Sequence, residues 1–156
     1  MVIDGNFLAS RAPLRASSAV AAIIVVDGAG YLMQLRDDIP NIWYPGHWGL
    51  FSGAVDAGED DIAALRRELR EELELDLQTA ELFVRFDFDL TPMGLARYFR
   101  AYYEVPITAA AYERLVLHEG ADMRALPGDD ALSLQRLSPY DSFAVFMHHH
   151  RRRIGR

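Results

Sequence analysis

The segment GAVDAGEDDIAALRRELREELEL, residues 53–75, decides how this chain is read, because nine of its 23 acidic residues fall between Asp56 and Asp76. Asp60 or Asp61 can cap a helix that runs to about Leu73. At about 100° per residue, Ile62, Leu65, Leu69 and Leu73 form one narrow apolar stripe. Arg66, Arg67 and Arg70 fall to one side of the stripe, and Glu68, Glu71 and Glu72 to the other. Glu68 and Glu72 are four residues apart and Glu68 and Glu71 three apart, so each pair costs an isolated helix roughly 0.2–0.5 kcal/mol. Arg67 can relieve Glu71 at i+4, but Glu68 and Glu72 have no basic partner on their own face. Two readings are open: a solvated acidic face, or carboxylates that converge on a hard divalent cation, which takes oxygen ligands.

Working outward, AVAAIIVV (19–26) reads as a buried strand, DGAG (27–30) as a hairpin turn and YLMQLR (31–36) as the returning strand. DDIPNIWYPGH (37–47) is a long loop, and WGLF (48–51) a short strand that enters the acidic segment. LFVRFDFDL (82–90) alternates, with Val84, Phe86, Phe88 and Leu90 on one face and Phe83, Arg85, Asp87 and Asp89 on the other. It pairs with ARYFRAYYEV (96–105) as a long antiparallel hairpin turned by TPMG. ITAAAYERLVL (107–117) is open between helix and irregular structure, and ADMRAL (121–126) reads as a further strand. Ser138 as cap and Pro139 at the first helical position predict a C-terminal helix. Strands that surround a central helix predict an α/β fold built as a sandwich on a mixed sheet.

Composition narrows the chemistry. The 156 residues fit one domain with its own core. The absence of cysteine removes disulfides and thiolate chemistry and suits a cytoplasmic location. All 16 basic residues are arginine, which removes Schiff-base lysines and the Walker lysine. A formal net charge of −7 argues against nucleic acid as a partner. The longest apolar run, 19–26, is too short to span a membrane, and MVIDGNFLASRAPLR lacks the pattern of a secretory signal. The tail HHHRRRIGR could grip phosphate, but reads first as a solvated, frayed helix end.

The acidic segment resembles the signature of the Nudix hydrolases. That signature is a glycine, five residues, Glu, seven residues, Arg-Glu-apolar-x-Glu-Glu, then x-Gly-apolar. Gly53, Glu59, Arg67, Glu68, Leu69, Glu71, Glu72 and Leu75 match it, and Glu74 stands where the family has glycine. The resemblance implies a Nudix-type α/β/α sandwich with a mixed central sheet, formed by residues 1–156 as one domain. It implies a Mg²⁺ site, in which Mn²⁺ can substitute, with Glu68 and Glu72 as side-chain ligands, Glu71 as a further carboxylate and the Gly53 carbonyl completing it. Arg67 and Glu59 would be the ion pair that orients them. Glu68, Glu71 and Arg67 are thus expected in the catalytic machinery, and Glu119, in LHEGAD, is the candidate for a base on a distal loop. Glu119 reads equally well as a solvent-facing turn residue.

The activity implied is hydrolysis of a nucleoside diphosphate linked to another group. Nucleoside triphosphates, oxidised ones included, are the first expectation, as in MutT-like members. ADP-ribose or another nucleotide sugar is the alternative, and a non-catalytic nucleotide-binding module the rival of another class. Arg36, Trp43 and Tyr44 are the candidate substrate-binding residues, since aromatic faces can stack a base. His47 and Trp48 lie in the same loop, with Trp48 readable as core. Arg85, Arg97 and Arg100 could hold phosphate or pair with Asp87 and Asp89. The chain's size is one at which two-fold homodimers are common, but no exposed apolar stripe in the sequence marks an interface.

Overall fold

The computed structural model describes residues 17–94, 96–153 and 155. The stretch read as lacking a secretory signal falls wholly within 1–16, outside the described residues, as do Leu95, Ile154 and Arg156.

β1 (Ala19–Val26) is the organising strand. It pairs in parallel with β6 (Tyr98–Ile107) along its whole length. Its other edge is shared. β4 (Phe51–Ala54) runs antiparallel to Ala19–Ala22, and β2 (Gly30–Leu35) takes over at Val25 and Val26. β3 (Trp48–Gly49) and β7 (Asp122–Leu126) extend β2, and β5 (Glu81–Phe88) pairs antiparallel with β6 at the far edge. The sheet is mixed, as expected.

The unbroken apolar run of β1 follows from its place, because both of its faces are covered. Val20, Ala22, Ile24 and Val26 pack under α1 (Asp61–Leu73) with Leu65, Leu69 and Leu73. Ala21 and Ile23 face the other way, with Tyr31, Met33 and Tyr102, against α3 (Gly128–Leu132) and α4 (Pro139–His149) through Ala131, Ala144 and Val145. This is the expected α/β/α arrangement. Among the described residues no helix is long and apolar enough to cross a membrane.

α1 forms where its periodicity puts it. The Asp60 side chain caps it by accepting the Ala63 N–H at 2.8 Å. It closes on Glu74, which adopts the left-handed conformation (φ 54°, ψ 26°) and donates its N–H to the Arg70 carbonyl at 3.0 Å. Glycine suits such a position best. The partner of Glu74 is His118, whose Nε2 lies 2.7 Å from Glu74 Oε1, whereas Arg70 pairs with Asp76 at 2.7 Å.

Several local expectations are corrected. The strand at 48–51 is broken at Leu50, whose N–H turns to the Asp141 carboxylate (3.1 Å), so that β3 serves β2 and β4 serves β1. A register irregularity between Leu82 and Val84 turns Phe83 into the second core with Val84 and Phe86, not away from them. Residues 107–117 resolve into the end of β6, a one-turn helix α2 (Ala109–Tyr112) capped by Thr108, and a loop. Ser138 precedes α4 but makes no side-chain cap; it is fully buried and its N–H goes to the Trp48 carbonyl at 2.8 Å. The tail is not simply solvated. His148 is completely buried, with the Tyr31 hydroxyl at 2.8 Å from Nδ1 and the Glu104 carboxylate on Nε2.

The left-handed Glu74 generates a stability test. Relief of the backbone conformation should favour Glu74→Gly by about 1 kcal/mol, offset by a more flexible unfolded chain and the lost exposed pair with His118. Glu74→Ala loses the same pair but keeps the strain. In urea denaturation Glu74→Gly is expected within about 1 kcal/mol of the parent, and Glu74→Ala below Glu74→Gly by about 1 kcal/mol. Equal stability of the two variants contradicts a strained position 74.

Candidate functional site

The acidic face of α1 lies over the end of β4. Gly53 in β4 is where the two elements touch: a Cβ there would occupy the space of the Glu68 carboxylate. Only glycine lets the helix approach this far.

Arg67 braces the contact. Its Nε and Nη2 donate to the two Glu59 oxygens at 3.0 and 2.9 Å, its Nη1 to Glu68 Oε1 at 2.6 Å, and its Nη2 also to the Ala54 carbonyl at 3.0 Å. The pairing with Arg67 and the N–H of Asp56 hold the Glu59 carboxyl below its ordinary range. Glu59 and Glu68 in turn raise the Arg67 guanidinium, which stays charged. Glu71 is exposed, with an oxygen 3.7 Å from Arg67 Nη1.

Glu68 and Glu72 differ from ordinary surface glutamates. Burial raises the Glu68 carboxyl in spite of Arg67. Glu72 is only 4% exposed, and among the described residues its Oε2 has no hydrogen-bond partner. Its pKa is pushed up to about 9, first by burial and then by the charges of Glu119 and Glu68, with Arg36 opposing. An orphaned carboxylate oxygen beside a second, half-buried carboxylate is costly unless something positive completes it.

Glu119 belongs to this neighbourhood. It is exposed, but its loop is fixed by backbone bonds on both sides. His118 N–H donates to the Glu72 carbonyl (2.9 Å), Gln34 Nε2 to the Glu119 carbonyl (3.0 Å), and Gly120 N–H to Asp37 (3.2 Å). The geometry thus brings Gly53, Glu68, Glu72, Arg67 and Glu119 together, with Glu71 at the rim. Among the described residues no three such side chains stand close enough to grip an ion as they are. The donor chemistry nevertheless fits a hard cation: a buried carboxylate with an unclaimed oxygen, a half-buried one beside it, and an arginine brace that fixes the second.

Beside Gly53 opens a cavity of about 230 Å³ that Arg36, Trp43 and Tyr44 line, together with Tyr98, Arg100 and Tyr140. Arg36 also supports the aromatic loop by donating from Nε to the Trp43 carbonyl at 2.8 Å. The sequence reading grouped Arg100 with Arg85 and Arg97, and the three part company here. Arg85 pairs with Asp87 (2.9 Å) and Arg97 with Asp89 (2.7 Å), whereas Arg100 is half-buried in the cavity wall, 4.1 Å from the Tyr140 ring and 3.5 Å from Asp141. Tyr140 and Tyr98 went unnoticed. Tyr140 follows the Pro139 that opens α4, and its ring meets that of Tyr44 edge-on at 5.4 Å. His47 turns its Nδ1 to the Pro45 carbonyl at 2.8 Å, and Trp48 is core. A larger cavity of about 500 Å³, behind the C-terminal end of α1, contains none of the candidate site residues.

The buried Glu72 makes stability depend on pH. Its folded pKa of about 9 stands above its ordinary 4.5, so the folded chain keeps a proton that the unfolded chain has released. The stabilising effect is complete below about pH 4.5 and is lost as pH rises toward about 9. With chelator present, the unfolding free energy should therefore fall across that window more steeply in the parent than in Glu72→Gln, by up to about 1.4 kcal/mol per pH unit. Parallel pH profiles contradict the burial of an ionisable Glu72.

The NUDIX domain family profile matches residues 16–140. Nucleoside triphosphatase NudI of Escherichia coli is 41% identical over 69 residues, which are 44% of this chain and 48% of that protein. The chain thus aligns with about half the length of the curated relatives it matches. In three dimensions it is similar to a MutT protein from Methanosarcina mazei (TM-score 0.69, 18% identity, 91% of this chain and 98% of that one). It is also similar to a MutT NUDIX hydrolase from Burkholderia pseudomallei (TM-score 0.65, 25% identity, 83% and 95%). With the acidic helix seated on Gly53 and the profile covering most of its length, the chain belongs to the NUDIX domain family.

Proposed function

We propose that residues 1–156 act as one domain that hydrolyses the phosphoanhydride of a nucleoside diphosphate linked to another group, with a nucleoside triphosphate as the preferred class. The observation that carries this reading is the Glu72 oxygen, buried beside Glu68 with no hydrogen-bond partner among the described residues. Glu68, Glu72, Glu71 and the Gly53 carbonyl would hold Mg²⁺ or Mn²⁺. When bound, the ion supplies charge neutralisation at the phosphate and a more acidic water. The triphosphate reading is supported by the partial likeness to nucleoside triphosphatase NudI.

The chain's own residues do the rest. Arg67 holds Glu68 in one orientation and, with Glu59, fixes α1 to the loop before it. In a chain of net charge −7, Arg36 and Arg100 bring positive charge to the cavity where an anionic substrate must enter. Trp43 and Tyr44 offer ring faces to the base. Water adds to phosphorus as the bridging P–O bond breaks, and its proton passes to a carboxylate. Glu119, on its anchored loop, and Glu68 are the candidate acceptors.

A screen for released phosphate and pyrophosphate, over normal and oxidised nucleoside triphosphates, ADP-ribose and nucleotide sugars, with and without Mg²⁺, tests the reading. Turnover of triphosphates only with Mg²⁺ is expected. Turnover confined to ADP-ribose or sugars shifts the substrate class, and no turnover of any leaves a binding module. Glu68→Gln and Glu72→Gln should each lower kcat by at least about 10²-fold, and the double variant should be little worse than either, since both act on one centre. Parental activity in Glu72→Gln contradicts the assignment.

A further inference from the structure

β5 ends the sheet. β6 pairs with one of its edges, and among the described residues no strand pairs with the other. Long free edges are templates for a further strand, and folds usually blunt them. This one is eight residues long and continues into apolar surface. Leu82 in β5 is 49% exposed, and on α4 Phe143 and Phe146 are 53% and 49% exposed. The two phenyl rings are three residues apart and so share one helix face, and that of Phe143 lies 5.7 Å from Phe86 of β5.

The charges on the strand say what fits this edge. Arg85 and Asp87 lie side by side on the other face, with Arg85 Nη2 2.9 Å from Asp87. If a second copy of β5 pairs antiparallel about a two-fold axis at Phe86, Arg85 of each copy stands opposite Asp87 of the other, Val84 opposite Phe88, and Phe86 opposite itself. Directly opposed unlike charges and apolar pairs stabilise such a ladder, and like charges oppose it. No neighbouring axis does as well. Centred on Val84, the pairing sets Asp87 against Glu81; centred on Phe88, it sets Asp87 against Asp89. Centred on Arg85 or Asp87, it opposes each to its own copy. From Val84 to Phe88 the strand is self-complementary in this one register, and the exposed phenyl rings of α4 lie beside it on the face that carries Phe86.

We propose that β5 and the Phe143–Phe146 face of α4 form the interface of a two-fold homodimer, paired edge to edge about Phe86. This inference is independent of the hydrolytic reading. Sedimentation equilibrium of the full chain should give twice 17.6 kDa at micromolar concentration. Amides of β5 should exchange with solvent more slowly as protein concentration rises. Arg85→Asp and Asp87→Arg should each weaken association by about tenfold or more, and the double exchange should bring it back to within about threefold of the parent. Phe146→Asp should weaken it too while leaving a folded monomer by circular dichroism. A monomer mass at hundreds of micromolar overturns the proposal, as does unchanged association in both single-charge variants. Loss in the singles with no recovery in the double exchange overturns the register and with it the proposal.

Discussion

The contact between the Glu68 carboxylate and the bare Cα of Gly53 is the constraint on which the site depends. It sets how closely α1 approaches β4, and it can exist only because Arg67 stands beside it. One guanidinium serves Glu59, Glu68 and the Ala54 carbonyl together, so it fixes the helix to the sheet and to the loop that precedes it. Charged groups gathered like this contribute little as surface pairs. Their effect here is positional: Glu68 is held while Glu72, one turn on, is carried into the interior with no ion pair among the described residues. The stripe of Leu65, Leu69 and Leu73 drives that burial, so apolar packing places a carboxylate where it is unstable when ionised.

The sheet supplies the opening next to this centre. β1 shares one edge between β4 and β2, and the chain between those two strands must run out as the long 37–47 loop. That loop returns its aromatic residues to the cavity beside Gly53, held by the Arg36 bond to Trp43. Asp141 works from the other side. It takes the Leu50 N–H that would otherwise continue the strand and also lies against Arg100 and Tyr102. The break in the strand and the placing of Arg100 in the cavity wall therefore have one cause, a carboxylate delivered by α4.

Much of this was legible in the sequence because it follows short-range rules. The limits of α1, the two-sided burial of β1 and the long hairpin all follow from periodicity and capping. The Glu74 departure was legible as a conformational question, and the structure answers it with a left-handed residue. What escaped reading depended on distant partners. Nothing near Leu50 signals Asp141, and nothing in the HHH run marks His148 as the one that is buried between Tyr31 and Glu104. Arg85 lies on β5 and Arg97 just before β6, whereas Arg100 takes the face of β6 that meets Asp141 of α4, a partner that nothing near it in the sequence signals. Phe83 was misplaced because a bulge shifts the period by one residue.

The account stands on the claim that Glu72 is a buried acid kept for a cation. Its carboxyl carbon can be followed by NMR through a pH titration, first with chelator and then with saturating Mg²⁺. The account predicts a midpoint near 9 without metal, and an ionised carboxylate at neutral pH once the metal is added, because a bound divalent ion favours the charged form. A midpoint at the ordinary value near 4.5 in the metal-free protein, or a midpoint that Mg²⁺ does not move, would contradict it.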